Sequence, residues 1–268
     1  MPIRVCIAGI AGRMGQRLIA LTHEDPELQL AGGTERAGHP WIGQDLGRMV
    51  GGTESGQPVL DHLDRSIQAD VLIDFTNAES AVRNAAVAAE WGWAMVIGAT
   101  GLTPAQKQNL EESARKGPMI VAPNFSVGVN VLFKAAAIVA RALGPGYEIE
   151  IVEAHHDKKA DAPSGTALGL AESIAEALNR DLTTDAVYGR QGVIGPRKPN
   201  EIGIHAVRMG DVVGEHTAYF AIGGERLELT HRASSRDTFV RGALRAAKWL
   251  MTPRRPNGMY TMAQVLGL

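Results

Sequence analysis

The chain of 268 residues holds a single cysteine, Cys6, which leaves no material for a disulfide framework or a thiolate zinc site. Cys6 lies in an apolar run and is read as a small buried hydrophobe. Net charge is also scarce: 27 Lys and Arg against 29 Asp and Glu give a formal −2 at pH 7, too little positive field to make nucleic acid the main partner. No apolar run reaches the about 18 residues needed to cross a bilayer. The opening MPIRVCIAGIAGRMG lacks the apolar core and small-residue cleavage site of a secretion signal, and reads directly as a strand and turn. The expectation is a cytoplasmic protein without membrane or nucleic-acid partners. Internal repeats and low-complexity tracts are missing too.

Glycine, in contrast, is plentiful, with 31 residues in a chain that is 45% hydrophobic and 21% charged. That composition is globular, and the length favours two domains or one large α/β unit. Short apolar runs at 4–8, 28–33, 71–75, 94–98 and 118–122 alternate with helix-length segments at 12–24, 77–91 and 103–116. Continuous apolar strands separated by helices predict a parallel sheet covered on both faces. Asn77 and Thr103 occupy N-cap positions, with Pro104 at the first helical position. The stretch 35–70 yields no clear elements.

The rhythm changes after about residue 125. A helix is predicted over 128–143, a strand over 147–153 in which Tyr147, Ile149 and Ile151 alternate with Glu148, Glu150 and Val152, and a helix over 164–178. Three more strands follow at 201–209, 216–222 and 226–233, and the Gly-Asp-Val-Val-Gly and Gly-Gly turns between them predict antiparallel pairing. The fold class expected is α/β: a Rossmann-type parallel-sheet domain plus an α+β domain with a mixed or antiparallel sheet. A last helix, 237–251, is expected to pack on the first domain. The domains are then 1–126 with 236–268, and 127–235, with a hinge near 124–129 and 234–238.

The first strand ends in AGIAGRMG, so Gly9, Gly12 and Gly15 form a GxxGxxG variant of the usual GxGxxG. Glycines there allow a sharp turn and close approach of a pyrophosphate to backbone amides at a helix start. Glu35 follows Gly15 by 20 residues, where a carboxylate accepts hydrogen bonds from adenosine ribose hydroxyls. Arg36 and Arg13 are placed to meet a 2'-phosphate instead, so both NADH and NADPH are expected to be tolerated. Two small-residue loops, Gly98-Ala99-Thr100-Gly101 and Ala122-Pro123-Asn124-Phe125, fall at strand ends where open sheets hold ligands.

The densest polar run is EAHHDKKADAPSGTAL. His155 and His156 point to opposite faces if the strand continues, which assigns them different tasks, one moving a proton and the other contacting substrate. Adjacent histidines chelate one ion poorly, so no metal is expected. Lys159 is long enough to reach the same place, either to donate a proton or to neutralise an anion. Ser164 caps a helix whose first residues, Gly165 and Thr166, offer backbone amides to a carboxylate. His205, His216 and His231 are read as core or sheet-face residues, and Arg208 and Arg232 are given at most a contact with a neighbouring subunit.

Together EAHHDKKADAPSGTAL, GIAGRMG, IDFT, IGATG, APNFSVGVN, GDVVGEHT and LTHRASSR closely resemble bacterial dihydrodipicolinate reductase of the lysine and diaminopimelate pathway, in order and over nearly the whole chain. The resemblance implies NAD(P)H-dependent reduction of 4-hydroxy-tetrahydrodipicolinate, a small dicarboxylate, to tetrahydrodipicolinate. It implies His155 as acid/base and Lys159 as proton donor, with His156, Ser164, Gly165 and Thr166 on the substrate carboxylates. Gly9, Ile10, Ala11, Gly12, Arg13, Met14, Glu35, Arg36, Gly98, Ala99, Thr100, Ala122, Pro123, Asn124 and Phe125 fall on the cofactor loops. A homotetramer formed through the second domain's sheet is implied as well. Ala99 departs from the family's common threonine, which predicts a missing hydroxyl near the nicotinamide. The alternatives are another two-domain NAD(P) oxidoreductase, such as an aldehyde or sugar dehydrogenase, and a dinucleotide-sensing protein without turnover.

Overall fold

The computed structural model describes residues 1–49 and 54–268. The chain folds into two compact units, residues 1–126 with 237–268, and residues 127–236.

In chain order the first unit begins with β1 (Ile3–Ala8), α1 (Arg13–Glu24), β2 (Leu28–Thr34), α2 (Leu46–Met49), β3 (Val59–Leu60), β4 (Val71–Asp74), α3 (Ala78–Glu90), β5 (Ala94–Ile97), α4 (Pro104–Ala114) and β6 (Pro118–Val121). The second unit holds α5 (Val127–Leu143), β7 (Glu148–His155), α6 (Gly165–Leu178), α7 (Leu182–Asp185), β8 (Ala186–Tyr188), β9 (Ile202–Arg208), β10 (Gly214–Ile222) and β11 (Glu225–Ala233). The chain then returns to the first unit with α8 (Asp237–Met251), β12 (Gly258–Tyr260) and α9 (Met262–Leu266).

The first unit's sheet has the order β12-β6-β5-β4-β1-β2-β3, and its strand pairs are parallel. Side chains alternate between two cores. Val5, Ile7, Ile73 and Val96 meet Leu18 and Leu21 of α1 and Val240 and Leu244 of α8 on one face. Cys6, Leu72, Met95 and Ile97 meet Ala81, Ala85 and Ala88 of α3 and Leu110 of α4 on the other. Double-sided cover explains why β5 is apolar throughout and β4 up to its last residue, and each fully buried Ile or Leu contributes about 1.5–3 kcal/mol. The caps are in place: Asn77 Oδ1 accepts from Ser80 N, and Thr103 forms a reciprocal capping box with Gln106. The stretch 35–70 supplies the short α2 and the edge strand β3, both too brief for a periodic signal.

The second unit's sheet has the order β11-β10-β7-β9-β8. The Gly223-Gly224 turn joins β10 and β11 as an antiparallel hairpin. The Gly210–Gly214 segment does not join a hairpin, and that expectation is corrected. Here β9 pairs parallel to β7 and β10 pairs antiparallel to it, so β7 separates the two strands. Met209 N donates to His155 O and Asp157 N to Gly210 O, which carries the loop across the end of β7 instead of back along β9. Leu132 and Ala136 of α5 and Leu170 and Ile174 of α6 cover the sheet face that carries Ile149, Ile151, Ile204 and Phe220. Among the described residues, no helix is long and apolar enough to cross a membrane.

Candidate active site

The first unit's cleft grows from the turn after β1. Gly9 has φ +74, a left-handed conformation glycine adopts without strain, and a Cβ there would lie 2.8 Å from Thr76 Cγ2. A Cβ at Gly15 would sit 2.2 Å from Gly9 O, so only glycine lets α1 begin this close to the turn. No side chain caps α1 at Gly12, leaving its first amides for an anion. At the end of β2, Glu35 Oε2 accepts from Ala11 N at 2.9 Å and Oε1 from Arg36 N at 3.0 Å. Glu35 is thus fastened to the glycine turn it is predicted to serve.

These residues border a cleft of about 450 Å³ whose walls include Gly9, Gly12, Glu35, Arg36, Thr76 and Arg83. Sequence reasoning does not assign Thr76 or Arg83. The fully buried Asp74 fixes Thr76 by accepting from its N at 2.8 Å and its Oγ1 at 2.6 Å, and also takes Asn84 Nδ2 at 2.8 Å. Arg13 is exposed, Met14 packs partly on the core, and Ile10 is fully buried, so only the backbone of Ile10 can face a ligand.

Phe75 ties the other two predicted loops together. A Cβ at Gly98 would lie 2.2 Å from its ring, and Phe125 meets it edge to face at a centroid separation of 5.4 Å. Ala99 is buried in the core beneath this loop, while Thr100 is exposed. Asn124 Oδ1 accepts from Ser126 N at 2.8 Å, tightening the turn that also contains Ala122, Pro123 and Phe125.

In the second unit the polar run is built around Glu153, a residue that sequence reasoning misses. It lies on β7 on the same side as Ile149, Ile151 and His155, two residues apart from each neighbour, and is fully buried. Its Oε2 meets His155 Nδ1 at 2.6 Å and Arg208 Nη1 at 2.8 Å; its Oε1 accepts from Ser164 N at 3.0 Å and Arg208 Nη2 at 2.8 Å. Burial by itself would push this carboxyl up, but hydrogen bonds from His155, Arg208 and Ser164 outweigh it and hold it at about 2. Arg208, expected at most to touch a neighbouring subunit, turns inward to Glu153 and also donates to Asp161 O at 2.6 Å.

Ser164 caps α6 by accepting from Ala167 N at 3.1 Å. Its Oγ also lies 3.0 Å from Nε2 of His216, a residue expected only to fill the core or a sheet face. His216 packs edge to face on His155 with centroids 5.1 Å apart, and burial pushes it down to about 3, with neighbouring His155 acting in the same direction. A Cβ at Gly165 would meet nothing within 4 Å, so the space beside the first α6 amides is open. His156 is half-buried and Thr166 follows Gly165 on the helix. Lys159 Nζ pairs with both oxygens of Asp161 at 2.8 Å, joining it to the Arg208 network without direct contact to His155. The structure therefore collects His155, Ser164 and His216 around Glu153, with Lys159 one link away. The signal present in the sequence is parity, since Glu153 falls on the strand's apolar side. Among the described residues no cluster of His, Cys, Asp and Glu could hold a metal ion.

A parallel sheet with a glycine turn, an uncapped helix start and an acid just past the second strand is the framework of a nicotinamide-dinucleotide-binding protein. Comparison with known proteins narrows the class. Residues 3–125 match the family model "Dihydrodipicolinate reductase, N-terminus", and residues 128–266 match "Dihydrodipicolinate reductase, C-terminus". The 4-hydroxy-tetrahydrodipicolinate reductase of Anaeromyxobacter dehalogenans is 52% identical over 266 residues, covering 99% of this chain and 98% of its own. That of Desulfotalea psychrophila is also 52% identical with the same coverage. A dipicolinate-bound dihydrodipicolinate reductase from Paenisporosarcina sp. TG-14 superposes with a TM-score of 0.77 at 26% identity, over 98% of this chain and 99% of its own. The chain belongs to the dihydrodipicolinate reductase family.

Proposed function

We propose that the chain reduces 4-hydroxy-tetrahydrodipicolinate to tetrahydrodipicolinate, the first unit (1–126 with 237–268) holding NADH or NADPH and the second (127–236) the dicarboxylate. The observation that carries this reading is the cluster on Glu153, which sets an acid/base imidazole beside an open helix start within a chain of this family. When bound, the dinucleotide supplies hydride. Addition of hydride to a conjugated imine leaves an electron-rich carbon that must gain a proton. His155 and Lys159 are assigned to that proton delivery, with Lys159 leaving Asp161 to act. His156, the Ser164 hydroxyl and the Gly165 and Thr166 amides hold carboxylate oxygens, where a helix start favours negative charge.

Around the cofactor, the α1 amides and the turn from Gly9 to Met14 take the pyrophosphate, Glu35 the ribose hydroxyls, and Arg36 with Arg13 a 2'-phosphate. Both cofactors are accepted on this reading. The loops Gly98–Thr100 and Ala122–Phe125 take the nicotinamide; because the Ala99 methyl is buried, the departure from threonine costs packing rather than a contact with the ring. A homotetramer is assigned to the sheet face opposite α5 and α6, where Val152, His205, Thr217 and Tyr219 lie half-buried and Val207 is exposed.

The test is loss of the reduced-nicotinamide absorbance with freshly generated dihydrodipicolinate, run in parallel with NADH and NADPH. Substrate-dependent oxidation is expected with both. Dinucleotide binding without oxidation would favour another substrate or a sensing role. Light scattering on the same sample reads the assembly, and a monomer there would remove the tetramer.

A further inference from the structure

The four groups that meet the Glu153 carboxylate fix more than its position. Arg208 Nη1, Arg208 Nη2 and Ser164 N can only donate, and they occupy both oxygens at 2.8, 2.8 and 3.0 Å. A guanidinium bound at both oxygens and an amide at one favour the charged form, so Glu153 is a carboxylate, and its remaining site on Oε2, the one facing His155, accepts. The ring nitrogen 2.6 Å from its Oε2 must then carry hydrogen, which makes His155 Nδ1 the donor. With Nδ1–H committed to Glu153, Nε2 is the atom that gains the second proton of the imidazolium and gives it up to the electron-rich carbon, after which the neutral ring keeps only its Nδ1–H. Nε2 lies beside Gly214, where the absence of a side chain spares it a Cβ that would stand only 3.1 Å away.

We propose that Glu153 is the positioning residue of this site, holding His155 in the Nδ1–H form so that Nε2 exchanges the proton, while Ser164 N ties the same carboxylate to the start of the substrate-holding helix. The inference rests on the reading that His155 moves a proton in the reaction. Arg208 is the clamp that makes the arrangement one-directional, because its two-point bond fixes the carboxylate plane and holds it in the charged form that accepts from Nδ1. One buried group thereby sets both the proton-transferring atom and the anion-binding amides, although the residues concerned lie on β7, β9 and α6.

The experiment uses the full chain with Glu153→Gln. A glutamine offers one oxygen where donors need two, and its amide turned toward His155 would reverse the hydrogen bond and move the ring proton to Nε2. The expected result is a fall in kcat of roughly 100- to 10,000-fold, the acid/base contribution forfeited when the ring presents the wrong tautomer, with dinucleotide affinity within about twofold. NMR of the wild-type protein labelled at the histidine ring nitrogens reads the tautomer without any substitution there, the His155 resonance being assigned by its loss in His155→Asn. The Nδ1–H form is expected wherever the ring is neutral; the Nε2–H form overturns the proposal even if Glu153→Gln fails to fold. The two readings separate cleanly. If His155→Asn keeps normal turnover, the acid/base assignment fails and the positioning role goes with it. If His155→Asn loses turnover while Glu153→Gln keeps it, the acid/base assignment stands and Glu153 is merely structural.

Discussion

Replacing Arg208 with methionine keeps the aliphatic stem and removes both guanidinium bonds to Glu153. The Glu153 carboxyl is held at about 2 against an ordinary 4.5, by hydrogen bonds that overcome the opposing effect of burial. A folded value below the unfolded one stabilises the protein above the unfolded value, and that stabilisation is lost as pH falls from about 4.5 toward about 2. At about 1.36 kcal/mol per pH unit the gap is worth about 3 kcal/mol, and the Glu153 side chain has 0% exposure through which solvent could screen it. Losing two of the four bonds leaves a buried charge half-compensated, so Arg208→Met is expected to lose about 2–3 kcal/mol near pH 7. The loss should shrink steadily below about pH 4.5, where the carboxylate of the variant takes up its proton. The assay is urea unfolding across that range. Trp41, Trp91, Trp93 and Trp249 all lie in the first unit, so indole emission reports the wrong half of the chain. Hydrogen exchange of the Glu148–His155 segment reports the relevant one, with far-UV circular dichroism following the whole chain. An equal loss near pH 7 and near pH 3.5, or no loss at either, would refute the account of Glu153 as an ionised, clamped carboxylate.

Lys159→Ala should lower kcat by roughly 100-fold or more while leaving dinucleotide affinity unchanged, as expected for a proton donor; near-normal turnover in stopped-flow would remove lysine from the reaction. Glu35→Ala should weaken NADH more than NADPH, since it loses ribose acceptors and relieves repulsion of a 2'-phosphate, and equal effects on both dissociation constants would sink the ribose assignment. Gly214→Ala places a methyl 3.1 Å from His155 Nε2, and is expected to reduce kcat more than it destabilises the fold. If kcat were unchanged in a folded variant, Nε2 would not be the working face of the ring.

The first unit is legible because its physics is local. The central strands β4 and β5 are buried on both faces and therefore almost wholly apolar, α3 and α4 start on their own side-chain caps, and Glu35 lies one βαβ step beyond the glycine turn. What escapes is short or remote. The edge strand β3 has two residues and α2 has four, below any period a pattern can reveal. Asp74 and Thr76 are invisible as a pair because a polar residue ending an apolar strand reads as loop until its hydrogen bonds to the next turn are seen.

The second unit shows a subtler limit. Its strands, helices and most of its reactive residues follow from alternation and capping, yet the pattern pairs β9 with β10, because a glycine-rich turn between two strands ordinarily makes a hairpin. The sheet instead inserts β7 between them, and this insertion builds the site: it brings Arg208 from β9 and His216 from β10 to opposite sides of one strand, 55 and 63 residues from Glu153 in sequence. Pairing β9 with β10 directly would leave one of those side chains a strand farther away and Glu153 buried without its clamp, a state costing several kcal/mol. A charged residue on the apolar parity of a strand thus carries topological information. It requires a neighbouring strand to deliver an opposite charge, and Arg208, at the end of β9 and opposite His155 in the parallel register, meets that requirement.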